Sequence, residues 1–271
     1  DYALEYNPLI SQVSSSLVSE DRLSRIINSK GINKEEMQSR VRLTFSTIAT
    51  QGNEKQTGRV SPGWQQGYEV IENYPLKEKA KSCCDQAIRM VSAGYAPSGM
   101  MPVILCNGFG GVIFHEACGH ALEATSVGIG NSCFKDKIGH QIASSCVSAR
   151  DNARIKGEWG SYYTDDEGND SSDLLLIENG ICRNYLVDEL GSRRMGMPVT
   201  GCSRRQDYSY APTSRMSNTY IEAGNEKPGD IISDTEYGLY CADMGGGSVD
   251  TSTGEFNFAV NEAYIIRDGK I

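Results

Sequence analysis

Histidine is scarce in this sequence, at three of 271 residues. Positive charge is in deficit as well. Lysine and arginine total 26 against 35 aspartates and glutamates, a formal net charge of −9. That balance argues against direct nucleic-acid binding, which needs concentrated cationic side chains. No long apolar run is present either. The most apolar tract, residues 100–114, is broken by Asn107 and by glycines, so it cannot cross a bilayer as a helix. The chain opens Asp1-Tyr2-Ala3-Leu4-Glu5, which is no signal peptide. The nine cysteines are an odd number, and Cys83 and Cys84 are adjacent. Such a set does not make a disulfide framework and is read as reduced thiols in a cytoplasmic protein.

What is present describes a globular chain of one large domain or two modest ones, with 39% hydrophobic and 23% charged residues. Residues 8–31 are expected to be a helix, with Leu23, Ile26 and Ile27 on one face and Gly31 as the stop. Alternation over 40–50 predicts a strand. Residues 51–58 read as a polar turn, and 59–71 as a returning strand interrupted at Pro62-Gly63. Pro75 opens a helix running to Ala93, with Ala80, Cys84, Ala87, Ile88 and Val91 inward. Ala96-Pro97-Ser98-Gly99 reads as a linker. It separates 1–96, the end of an N-terminal α+β domain, from 97–271, a β-rich C-terminal domain. Beyond it come a short buried strand at 102–106, a turn at Asn107-Gly108 and a helix over 110–125. Strands are expected at 141–147, 173–178, 181–187, 215–222, 237–242 and 255–266. Asn179-Gly180 marks a hairpin, and 188–195 reads as a short helix. Because strands and helices are segregated, the expected class is α+β with mixed, mostly antiparallel sheets.

Two of the three histidines fall in one motif, His115-Glu116-Ala117-Cys118-Gly119-His120. The zinc-protease pattern places its histidines four apart, on one helix face. Here they are five apart, which an ideal α-helix would separate by about 140° rather than about 40°. A π-bulge between Glu116 and His120 would restore a shared face, and Gly119, lacking a Cβ, would ease it. Given that bulge, His115 and His120 suit zinc as neutral imidazole ligands, and Glu116 suits the role of general base. Glu123 could partner an imidazole or be an ordinary helix charge. A third ligand is needed. His140, Glu123 and several cysteines are available, but no spacing singles one out.

Other features have two readings each. Gly245-Gly246-Gly247 offers either backbone for an extended peptide to pair with or a tight turn needing positive φ. Arg204, Arg205 and Arg215, near Tyr208, Tyr210 and Tyr220, could bind a carboxylate or polarise a carbonyl, or could simply form a solvated face. Asp165-Asp166-Glu167-Gly168 lacks the spacing of a calcium loop and reads as a turn. His140 reads as a surface or structural residue.

Taken with the histidine motif, several runs make the chain resemble the TldD/PmbA family, the TldD branch in particular. They are Asp165-Asp166-Glu167-Gly168, Leu176-Ile177-Glu178-Asn179-Gly180, residues 195–201, residues 215–220, residues 245–250 and Glu262-Ala263-Tyr264. The resemblance covers essentially the whole chain and is strongest over 101–271. It implies a cytoplasmic zinc metalloprotease that hydrolyses unfolded or extended peptides, with an older label as modulator of DNA gyrase. A homodimer or a heterodimer with a PmbA-type partner is implied. The alternative is a non-catalytic subunit of such a complex that holds a peptide or protein. Substrate contact is expected at Gly245, Gly246, Gly247 and Asn218. Family members are longer at both ends, and their third zinc ligand is a cysteine beyond the position matching Ile271. The isolated chain is therefore expected to bind zinc weakly and to be inactive alone.

Overall fold

A hairpin stands where the first helix is expected. The computed structural model describes all 271 residues, and they divide into two units. The first comprises Asp1–Leu23, Met37–Gly99 and Gly157–Trp159, and the second comprises Ser24–Glu36, Met100–Lys156 and Gly160–Ile271. Strand β1 (Ile10–Ile27) pairs with β2 (Asn33–Gln51). Along 22–27 burial alternates with period two: Arg22, Ser24 and Ile26 are half-buried, whereas Leu23, Arg25 and Ile27 are exposed. Leu23 and Ile27 therefore lie on one face and Ile26 on the other, and the helical pattern was a coincidence of spacing. Gly31, the supposed helix stop, lies in the hairpin turn at φ +82°.

Strand β3 (Glu54–Val60) starts five residues before the expected strand, because only Gly52 and Asn53 separate it from β2. β4 (Gly63–Trp64) also pairs with β2, and Tyr68–Asn73 is a 3-10 helix rather than more strand. Helix α1 (Leu76–Val91) follows the expected pattern. Its Cys84, Ala87 and Val91 are buried with Ala3, Ile10 and Ala49 in the core of the first unit.

The second unit opens with β5 (Val103–Leu105), an edge strand with Val103 exposed rather than the buried strand expected. The single turn α2 (Val112–Phe114) leads into the histidine motif, and α3 (Ala124–Val127) follows it. Then come β6 (Ala149–Asn152), β7 (Asp173–Glu178), β8 (Ile181–Cys182), α4 (Glu189–Met195), β9 (Ser203–Arg204), β10 (Thr213–Ser214) and β11 (Thr219–Ile221). A short α5 (Pro228–Ser233) precedes the long hairpin of β12 (Tyr237–Val249) and β13 (Phe256–Arg267). The strands form sheets in the orders β11-β6-β7-β8, β13-β12-β5 and β10-β9. Only the β5–β12 pair of these sheets is parallel. The fold is α+β, with mixed and mostly antiparallel sheets.

Asn179 and Gly180 take φ of +48° and +80° in the β7–β8 turn, as their identity requires. Asp188 caps α4 by accepting from Gly191 N at 2.8 Å. Residues 141–147 are not a strand; a single bridge, Gln141 to Ile181, replaces it. The glycine triplet is not a turn. Gly245–Gly247 lie inside β12, and the hairpin turns over 250–254, where Gly254 has φ +79°. The triplet serves close packing instead: a Cβ on Gly247 would sit 2.3 Å from the Phe258 ring.

Phe114, Leu122, Leu176, Ile177, Leu186 and Val187 form the centre of the second core. Full burial stabilises each such side chain by about 1.5–3 kcal/mol. Phe114 and Leu122 anchor the two ends of the segment that carries the histidines.

Candidate metal centre

The motif is helical but changes pitch twice before it breaks at Glu123. After α2, His115–Gly119 form a π turn, in which His120 N donates to His115 O five residues back. His120–Leu122 tighten to 3-10, and Glu123 is extended at φ −75°, ψ 133°. The widened turn expected from the spacing is present. It brings the rings of His115 and His120 to 4.8 Å between centroids, nearly perpendicular at 87°. Gly119 has an ordinary helical φ of −57°, so its lack of a Cβ is not needed to ease the backbone. A Cβ there would lie 2.0 Å from Sδ of Met216, which is buried; Gly119 makes room for the core.

His115, Glu116 and His120 form a group of three potential metal donors whose ligand atoms all lie within 4.8 Å of one another. All three are half-buried. Burial, with lesser help from His120, Arg215 and Arg204, pushes the His115 pKa down to about 4. Its imidazole is thus neutral at neutral pH, as a ligand must be. His120 is held up instead, chiefly by its hydrogen bond to Glu123. His120 Nδ1 lies 3.1 Å from Glu123 Oε2, and Nε2 lies 3.8 Å from Glu116 Oε2. Two imidazoles and one carboxylate suit zinc or a similar borderline ion. The donor set fits a metal.

The structure answers the open questions about other residues. Glu123 is buried and faces His120. Its backbone bridges Leu186, with Leu186 N donating to Leu122 O and Ala124 N to Leu186 O. His140 is exposed and outside the donor group. Cys118 lies within the motif, but burial pushes its thiol up to about 11, away from the thiolate that binds metals. Arg215 Nη1 stands 4.0 Å from Glu123 Oε2. Arg204 donates to Met216 O and lies over the Tyr162 ring. Both arginines thus belong to the site's surroundings, whereas Arg205 N donates to Asp166 Oδ2 in a separate loop. Sequence reasoning named the arginines but had no local signal to link them to residues a hundred positions earlier.

Asn218 has its amide directed into the protein. Its Oδ1 accepts from Gly160 N, and Nδ2 donates to Asn152 O and Ser161 Oγ. Asp165 likewise closes its turn by accepting from the N–H groups of Glu167, Asn169 and Ser203.

This is an α+β chain whose π turn gathers a His-Glu-His group that could hold a metal ion. Residues 98–271 match the PmbA/TldA metallopeptidase C-terminal domain, and residues 1–91 match the central domain of the same family. The chain belongs to the PmbA/TldD metallopeptidase family. It is 36% identical over 267 residues to a metalloprotease TldD homolog from Haemophilus influenzae, covering 97% of this chain and 55% of that protein. A TldD homolog from Buchnera aphidicola is 34% identical over 267 residues, with 96% and 55% covered. The chain thus spans about half the length of these relatives. Among solved structures, TldE from Thermococcus kodakarensis aligns with TM-score 0.81 at 18% identity, covering 98% of this chain and 60% of that one. At that identity the likeness speaks to the fold alone.

Proposed function

We propose that this chain carries the catalytic centre of a zinc-dependent peptidase that hydrolyses unfolded or extended peptides in the cytoplasm. The observation that carries the proposal is the π turn, which converges His115, Glu116 and His120 although their spacing would scatter them on an α-helix. His115 and His120 would hold the ion through imidazole nitrogens, His120 through Nε2. Zinc bound there supplies a Lewis acid that polarises the scissile carbonyl and lowers the pKa of water. Glu116 takes a proton from the attacking water at a carboxylate oxygen and delivers it to the departing amine. Arg204 and Arg215 contribute positive charge near His115, which favours a carbonyl oxygen gaining negative charge.

The glycine strand supports an extended substrate. Pairing of β12 with β5 ends at Cys241; in the triplet Gly247 pairs with Phe258 of β13, and Gly245 and Gly246 lie where the β12–β13 register shifts. A peptide can add there as a strand through main-chain hydrogen bonds, and the absence of side chains suits binding without sequence preference. No helix is long and apolar enough to cross a membrane; no disulfide joins the nine cysteines, and reduced thiols favour the cytoplasm. The assembly is a homodimer or a pair with a PmbA-type partner.

Cleavage of an unstructured peptide by the full-length protein, with and without that partner, tests the proposal. Glu116→Gln should lower kcat by about 10²–10⁴-fold, the usual worth of a positioned acid–base group, and leave peptide binding intact. Unchanged turnover would remove Glu116 from the chemistry. Binding without any turnover in the wild type would favour a non-catalytic peptide-holding subunit.

A further inference from the structure

We propose that Glu123 is a positioning residue for the metal centre, one that fixes the tautomer and ring orientation of His120. The inference rests on the metal-binding role given to His120 above and adds a residue outside the donor group.

Three observations carry it. First, Glu123 Oε2 is 3.1 Å from His120 Nδ1, while His120 Nε2 points to the other side, 3.8 Å from Glu116 Oε2. A carboxylate only accepts, so it draws the ring proton to Nδ1 and leaves the lone pair on Nε2, where the donors converge. Second, the backbone aims the side chain. Glu123 is the one extended residue between two helical turns, and the bonds on either side of it to Leu186 fix its direction. A continued helix would have carried the side chain elsewhere. Third, the carboxylate is poorly served as a structural group. Glu123 is 5% exposed, its Oε1 has no hydrogen-bond partner, and its cationic neighbour Arg215 stands at 4.0 Å. A buried oxygen without a partner costs stability. A residue kept for packing would do better as an apolar side chain. A carboxylate–histidine pair that orients a ligand accounts for the cost.

Two measurements on the full-length protein test this. In the metal-free wild type, nitrogen NMR of labelled histidine, with His120→Gln for assignment, should show neutral His120 protonated at Nδ1. Zinc affinity, measured by competition with a chelator, should fall by about 10–100-fold in Glu123→Leu. It should fall less in Glu123→Gln, whose amide oxygen still accepts from Nδ1. At a pH above the folded value of His120, where that ring is neutral, the melting temperature of the metal-free variants should stay level or rise, which a stabilising structural role would not allow. Protonation at Nε2 in the wild type, or zinc affinity in Glu123→Leu within twofold of wild type, overturns the proposal. If the leucine variant does not fold, the tautomer and the glutamine variant decide. Failure of the wild type itself to bind zinc would instead sink the metal-site reading on which this rests.

Discussion

At the scale of single residues, two imidazoles of one motif are pushed in opposite directions. Burial lowers His115 to about 4, and the bond to Glu123 raises His120 above the ordinary 6.5. For His115, the unfolded chain takes up a proton between pH 6.5 and about 4 that the folded chain refuses. Its contribution to stability therefore falls as the pH drops through that window. His120 behaves in the opposite sense. Its contribution is full below 6.5 and is lost as the pH rises through its folded value. His115→Gln, which cannot titrate, should therefore lose less melting temperature than the wild type on metal-free acidification from pH 6.5 to 4. An equal slope in the two melting series would show that His115 is not held neutral.

At the scale of elements, the π turn determines whether the motif works. It inserts one residue between Glu116 and His120 and leaves Phe114 and Leu122 in their core positions. Deleting Ala117 would restore the familiar four-residue spacing in sequence. The π turn would then close as an ordinary α turn, with Phe114 and Leu122 keeping their core positions. The deletion should therefore retain zinc binding and cooperative unfolding, as followed by zinc titration and denaturant melts. Loss of both would mean that the π turn does more than absorb the extra residue. The β12–β13 hairpin shows the same dependence on packing. Its glycines have two readings, a turn or a peptide-pairing backbone, until they are seen inside β12 with Phe258 lying against Gly247.

At the scale of the whole molecule, ion binding and stability are linked. A metal that binds only the folded state stabilises it by about 2.7 kcal/mol at a hundred times its Kd. Zinc should therefore raise the melting temperature of the full-length wild type, and a chelator should reverse the rise. In a variant lacking both imidazoles, His115→Ala with His120→Ala, the shift should vanish. A shift that survives in the double variant would place the stabilising ion elsewhere. The half-length match to the TldD homologs makes the full-length protein the right object for this measurement.

The motif, the widened turn, α1, the Asn179-Gly180 hairpin and the α+β class were legible in the sequence. All depend on neighbours within a few residues or on a fixed spacing. What the sequence left open or misread depends on distant partners. β1 reads as helix because the β2 residues that pair with it follow a turn, and local spacing cannot reveal them. Glu123 could be a ligand partner or a surface charge until the break in the helix and the bridge to Leu186 aim it at His120. Arg204 and Arg215 join the site only because β9 and β10 pair with each other and Thr125 N donates to Ser214 Oγ. Spacing along the chain determined which side chains could do the chemistry. Tertiary packing decided which way they point, because a side chain's direction is fixed by the backbone it hangs from, and that backbone is held by residues far away in sequence.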